Sequence, residues 1–114
     1  MIYECSTNPK YNEYMDFAEI RRNGAIVKVE EIQDFLANQK TPSGKPYRSM
    51  RIIAEYNVEE NLRRTIQKIA CSEPMGGGEV VAFDERDSEW SVIAPGSGTD
   101  DKLKILEKAK LMGF

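Results

Sequence analysis

Residues 47–70, YRSMRIIAEYNVEENLRRTIQKIA, decide the fold. Their apolar residues recur at intervals of three and four. Val58, Leu62, Ile66, Ile69 and Ala70 form the clearest stripe in the chain, and that spacing predicts an amphipathic helix. Tyr47–Tyr56 reads as a second helix, with Met50, Ile53 and Ala54 inward. Asn57, with Glu60 three residues on, reads as the capping pair between the two.

The elements outside this stretch follow the same logic. Met1–Cys5 reads as a short strand or extended arm. Asn8 is placed to cap a helix with Pro9 at its first position, running to about Arg22. Tyr11, Tyr14, Met15 and Ala18 would line its inner face, widened by Phe17. Asn23-Gly24 would end it, because both residues tolerate the left-handed conformation. Ala25–Val29 reads as a strand and Glu30–Gln39 as a helix burying Ile32, Phe35 and Leu36. Thr41–Pro46 and Ser72–Gly78 are loops by composition. Glu79–Phe83 and Glu89–Ala94 predict a β-hairpin across Asp84–Ser88. After a second loop at Pro95–Gly98, Thr99 or Asp100 would cap a final helix to about Met112, with Leu103, Leu106 and Ala109 inward. The expectation is one α+β domain over residues 1–114: helices packed on a small antiparallel sheet, with a C-terminal hairpin and helix.

Composition narrows function. A chain of 114 residues, 40% apolar and 31% charged, can bury a core without disulfides. No apolar run approaches the ~18 residues of a membrane span. No export signal is visible, so a cytoplasmic location is expected, with Cys5 and Cys71 as free thiols. Histidine is absent. That excludes Ser-His-Asp and Cys-His nucleophiles, histidine-based phosphodiester cleavage and most zinc sites. Carboxylate-only chemistry or a carboxylate magnesium site stays open, but no paired acids sit in an obvious apolar setting. The reading is a binding protein, not an enzyme, with no cofactor.

The net charge of −3 is unevenly spread. Residues 40–68 hold Lys40, Lys45, Arg48, Arg51, Arg63, Arg64 and Lys68 against three acids; residues 73–101 hold eight acids against Arg86. An acidic chain is a poor non-specific nucleic-acid binder, yet a local basic patch suits an anionic ligand. Arg21, Arg22, Arg48, Arg63 and Arg64 are the phosphate candidates, since guanidinium forks match phosphate oxygens. Phe83 and Trp90 are the base-stacking candidates. Gly44-Lys45 lacks the earlier glycine and following hydroxyl of a phosphate loop. Pro95–Thr99 lacks the third glycine of a dinucleotide fingerprint, and Asp100 and Asp101 would repel an anion there.

Three functional readings compete. In a winged-helix DNA-binding protein, Arg51–Ala70 would be the helix pair, with Arg63 and Arg64 in the major groove and the hairpin as wing. Glu59, Glu60 and the acidic wing oppose it, so DNA is the lesser partner. In an acidic inhibitor, Glu79, Asp84, Glu85, Asp87 and Glu89 would mimic nucleic acid toward a basic host factor. In a sponge, a small phosphorylated nucleotide would be sequestered without turnover. Arg-Arg-Asn-Gly-Ala (21–25), Gly-Lys-Pro-Tyr-Arg-Ser (44–49) and Gly-Gly-Gly-Glu-Val-Val-Ala-Phe (76–83) give the chain a layout that resembles small phage counter-defence proteins, the anti-Thoeris sponges. That resemblance implies sequestration of a cyclic nucleotide or cyclic ADP-ribose isomer, and a homo-oligomer with sites shared between protomers. The sponge is the preferred reading.

Overall fold

The computed structural model describes residues 2–7 and 9–111. Its body is a meander of antiparallel strands, β1 (Ile2–Thr7), β2 (Tyr11–Asn23), β3 (Ile26–Lys40), β4 (Pro46–Asn57), β5 (Leu62–Cys71) and β6 (Val80–Asp84), adjacent in space in chain order. A two-residue strand, β7 (Ser91–Val92), pairs with the other half of β5. One helix, α1 (Gly98–Leu111), follows. The expected α+β arrangement is therefore corrected. The three helices read across residues 30–70 are strands apart from a turn at 58–61, and the one read from Asn8 is strand from Tyr11 on, with Pro9 and Lys10 in a bend; Asn8 itself lies outside the described residues.

The reason is visible in the register. Ile53 of β4 pairs with Gln67 and Ala54 with Thr65, so Ile66 is an extra residue in β5. A bulge of one residue shifts the alternation of faces. It turns a two-residue period into the spacing Leu62, Ile66, Ile69, which imitates a helix. Larger bulges interrupt β2 and β3. The residues Phe17–Ile20 face the single Val29, and Phe35–Asn38 face the single Arg48. Leu36, expected in a core, is exposed within the second of these.

The turn residues keep their local chemistry and change their use. Asn57 Oδ1 accepts from the backbone N–H groups of Glu59 and Glu60 at 3.1 and 3.0 Å. This closes the β4–β5 hairpin rather than capping a helix. Gly24, at φ 62°, turns the two-residue connection between β2 and β3, where a positive φ matches the twist of the strands. The predicted hairpin of 79–94 is also corrected, because β6 and β7 each pair with β5 and not with each other.

α1 lies on one face of the sheet. Leu103, Leu106 and Ala109 pack on Met15, Phe17, Val27, Val29, Ala54 and Tyr56, and Ile93 joins this core. Ser97 caps the helix: its Oγ accepts from Asp100 N–H at 3.1 Å, and Asp100 Oδ2 accepts from Gly96 N–H at 2.9 Å. Part of the opposite face is covered by a short 3-10 turn at Pro74–Gly76. Its Gly76 N–H donates to Ser49 Oγ at 2.8 Å, and Met75 N–H donates to Asp34 at 3.0 Å. No helix of the described residues is long and apolar enough to cross a membrane.

Candidate functional site

Two surroundings gather most of the chemistry: a buried charge cluster under α1 and the outer edge of the sheet. The cluster follows from strand alternation. Val27, Val29 and Glu31 point to the same face of β3, so Glu31 is carried into the core and has 0% exposure. Lys102, one residue before Leu103 on α1, is carried down beside it. Its Nζ donates to Glu13 and, at 3.1 Å, to Glu31. Arg63 Nη2 donates to Glu31 Oε1 at 2.8 Å, and the Tyr56 hydroxyl donates to the other carboxylate oxygen.

Two carboxylates thus meet one ammonium and one guanidinium, and the cluster is neutral. Burial pushes the Glu31 carboxyl up, but Lys102, Arg63 and Tyr56 outweigh it and hold it below its ordinary value. Burial lowers Lys102, and the two glutamates more than restore it, leaving it above its ordinary value. Burial and the neighbouring Glu31 charge raise Tyr56 strongly. Every buried side-chain nitrogen and oxygen among the described residues has a partner. A cluster satisfied in this way fixes α1 on the sheet and leaves no reactive group in hand. Among the described residues, no group of three or more acids or cysteines could hold a metal.

The outer edge is different. No strand pairs with the free sides of β6 and β7 among the described residues. Phe83 lies opposite Ile69 and Val92 opposite Leu62, on the face away from α1. Phe83 is 65% exposed, Val92 79% and Val80 59%. The Arg64 guanidinium sits 4.7 Å above the Trp90 ring and pairs with Glu55 at 2.6 Å. The segment joining β6 to β7 is tied down by Ser88, which exchanges bonds with the Thr65 backbone at 2.7 and 2.8 Å. Within it the Arg86 fork holds the Asp84 carboxyl well below the usual carboxylate range. The result is two apolar, aromatic patches on one face of the outer strands, Val80 with Phe83 and Trp90 with Val92, joined by the exposed acidic segment 85–89.

The residues singled out from the sequence are scattered. Arg63 faces the core, and Arg64 faces the other side. Arg48 donates to the backbone oxygens of Phe35 and Leu36 at 2.8 and 3.3 Å. Arg22 donates to the Leu106 oxygen at 3.0 Å. Arg21 is exposed and pairs with Glu19 at 3.2 Å. Arg64 and Trp90 are brought together, and Phe83 shares their sheet edge. Sequence reasoning missed Glu13, Glu31, Tyr56 and Lys102. The alternation Val27-Val29-Glu31 would have found Glu31 once β3 was read as a strand.

Comparison with known proteins sets the remaining expectations right. The family model of surface-adhesin protein E matches residues 3–106. The fold is that of protein E of Haemophilus influenzae, at TM-score 0.75 and 16% identity, covering 98% of this chain and 94% of that one. A second crystal form of protein E gives TM-score 0.75 over 92% of each chain. Protein E from non-typeable Haemophilus influenzae gives 0.75 at 15% identity, covering 99% of this chain and 88% of that one. At such identities the likeness is one of fold. No curated protein matches the chain in sequence.

The likeness to phage sponges does not stand against a family match over nearly the whole chain. The nucleotide partner and the phage setting fall with it, and so does the shared-site oligomer inferred from that likeness. The winged-helix alternative fails on the fold, because Arg51–Asn57 and Leu62–Ala70 are strands. The acidic-inhibitor alternative gives way to the family as well. The expected cytoplasmic location is overturned too, since the family is one of surface adhesins. With the match spanning residues 3–106, this chain belongs to the surface-adhesin protein E family.

Proposed function

We propose that this chain is an adhesin module displayed at a cell surface, and that it holds a macromolecule of a host surface or matrix through the open edge made by β6 and β7. The observation that carries the reading is the exposure of Val80, Phe83 and Val92 on edge strands that no other strand covers. Exposed edges are normally blunted by charge or short length. Here Val80, Phe83 and Val92 stay exposed although Glu79, Glu85, Asp87 and Glu89 neighbour them in the chain. Exposed apolar and aromatic side chains set among acids have the composition of a protein interface. Aromatic anchors such as Trp90 and Phe83 carry a large share of the energy at such interfaces. The role is binding without turnover, in keeping with the self-satisfied buried cluster.

The test is equilibrium binding of the purified chain to immobilised matrix glycoproteins. Phe83→Ser with Val92→Ser should weaken binding by roughly tenfold or more. Both positions are exposed, so thermal stability should stay within about 0.5 kcal/mol of the parent. Equal binding by parent and double variant would remove the edge from the account.

A further inference from the structure

α1 covers only part of its face of the sheet. Beyond its N-terminus, between the start of α1 and strands β2, β3 and β5, lies an open cavity of about 500 Å³. That volume falls within the roughly 300–1,000 Å³ of small-molecule sites. Its floor is the neutral cluster of Glu13, Glu31, Arg63 and Lys102. Because those carboxylates are already engaged by Lys102 and Arg63, the floor has no spare charge with which to draw in a cation.

The walls carry groups with bonding capacity to spare. Among the described residues, the Gln33 amide, the Thr99 hydroxyl and the Lys68 ammonium make no hydrogen bond or ion pair. Lys68's cross-strand neighbour Asp84 is taken up by the Arg86 fork, so the lysine's charge stays available to the cavity. The Thr65 hydroxyl accepts one bond from Arg63 at 3.2 Å and keeps its proton to donate. Tyr11, whose ring packs edge-on with Phe35 at 5.4 Å, is also among the lining residues.

We infer that this cavity is a second binding site, distinct from the β6–β7 edge, and that it takes an acidic saccharide: a pyranose bearing one carboxylate. The cavity offers one ammonium with no direct ion pair, several neutral donors and acceptors, and one aromatic residue. A sugar acid presents the complement: one anionic group, a ring of hydroxyls that both donate and accept, and a C–H face that packs on an aromatic ring. Lys68 meets the carboxylate, Gln33, Thr65 and Thr99 meet the hydroxyls, and Tyr11 meets the ring face. The buried ion pairs fix the floor, and the strand and helix backbones that carry the groups above it are set by the fold.

The test uses the full chain, labelled with ¹⁵N and titrated with glucuronic acid, with glucose and with inorganic phosphate. Glucuronic acid should shift the amide signals of Gln33, Thr65, Lys68 and Thr99 with saturation. Glucose lacks only the carboxylate and should bind roughly tenfold more weakly, and Lys68→Ala should lose a similar factor. Lys45→Ala, in the exposed β3–β4 turn, should have no effect. Equal binding of glucose and glucuronic acid would overturn the proposal, as would the same shifts with phosphate alone, or no saturable shift with any sugar. Phe83→Ser with Val92→Ser should leave this titration unchanged, so failure here and failure of the adhesive edge are read separately.

Discussion

Lys102 is a charged residue at the N-terminal end of a helix's buried face, 5% exposed, and its place is set by the two carboxylates beneath it. Removing it leaves Glu13 and Glu31 buried against Arg63 alone. Breaking a buried pair from one side costs about 3–5 kcal/mol, far more than a surface pair. Lys102→Met should therefore destabilise the chain by that order, measured by urea unfolding. Arg21→Ala, which breaks the exposed pair with Glu19, should change stability by less than about 1 kcal/mol. The same cluster sets the response to pH. Glu31 titrates lower in the folded chain than its ordinary 4.5, so its contribution is complete above that value and is lost as pH falls through the folded pKa. Lys102 is raised above its ordinary 10.5, so its contribution is complete below that value and is lost as pH rises through the folded pKa. Burial also raises the Cys5 and Cys71 thiols above their ordinary 9.0 and Tyr56 above 10.0, so urea midpoints should form a plateau between about 4.5 and 9, falling on both sides. In Lys102→Met the alkaline fall should shrink. A midpoint peaking sharply near neutrality would count against the cluster as the main buried titrating unit.

At the scale of elements, the chain's local chemistry was legible and its periods were not. Asn57 and Gly24 were recognised as punctuation, and they punctuate hairpins. Leu103, Leu106 and Ala109, expected inward on a final helix, are buried on α1; Met112, the expected end of that helix, lies outside the described residues. Strands β2, β3 and β5 were hidden because each contains a bulge, and a bulged strand with two partly covered faces carries apolar residues at three- and four-residue spacing. Phe83 and Trp90, expected as base-stacking rings, lie at or beside the β6–β7 edge, where the proposed macromolecular contact would use them. The 3-10 turn behind β4 makes its own prediction. Gly76 has φ 74°, and an added Cβ would lie 2.8 Å from the Arg51 side chain. Gly76→Ala should cost about 1–3 kcal/mol, read as a lowered unfolding midpoint. An unchanged midpoint would mean that the turn does not pack as described.

For the whole molecule, charge read along the chain is not charge read in space. The basic stretch 40–68 and the acidic stretch 73–101 suggested separate patches, but the sheet folds one against the other. Arg64 lies 4.0 Å from Asp87, Gln67 donates to Glu85 at 3.2 Å, and Lys68 sits opposite Asp84. The anionic-ligand reading rested on arginines that β-sheet pairing instead spends on neighbours: Arg51 on Glu30 at 2.5 Å, Arg63 on Glu31, Arg64 on Glu55. What stays unspent at this scale is the open edge of the sheet. The most direct test of the account is adhesion of beads coated with the chain to cultured host-cell layers under washing, with the parent beside Phe83→Ser/Val92→Ser. Parent beads should be retained and double-variant beads should wash off at the level of uncoated beads, with both proteins equally folded. Retention of the variant at the parent's level, or no retention of the parent, would contradict it.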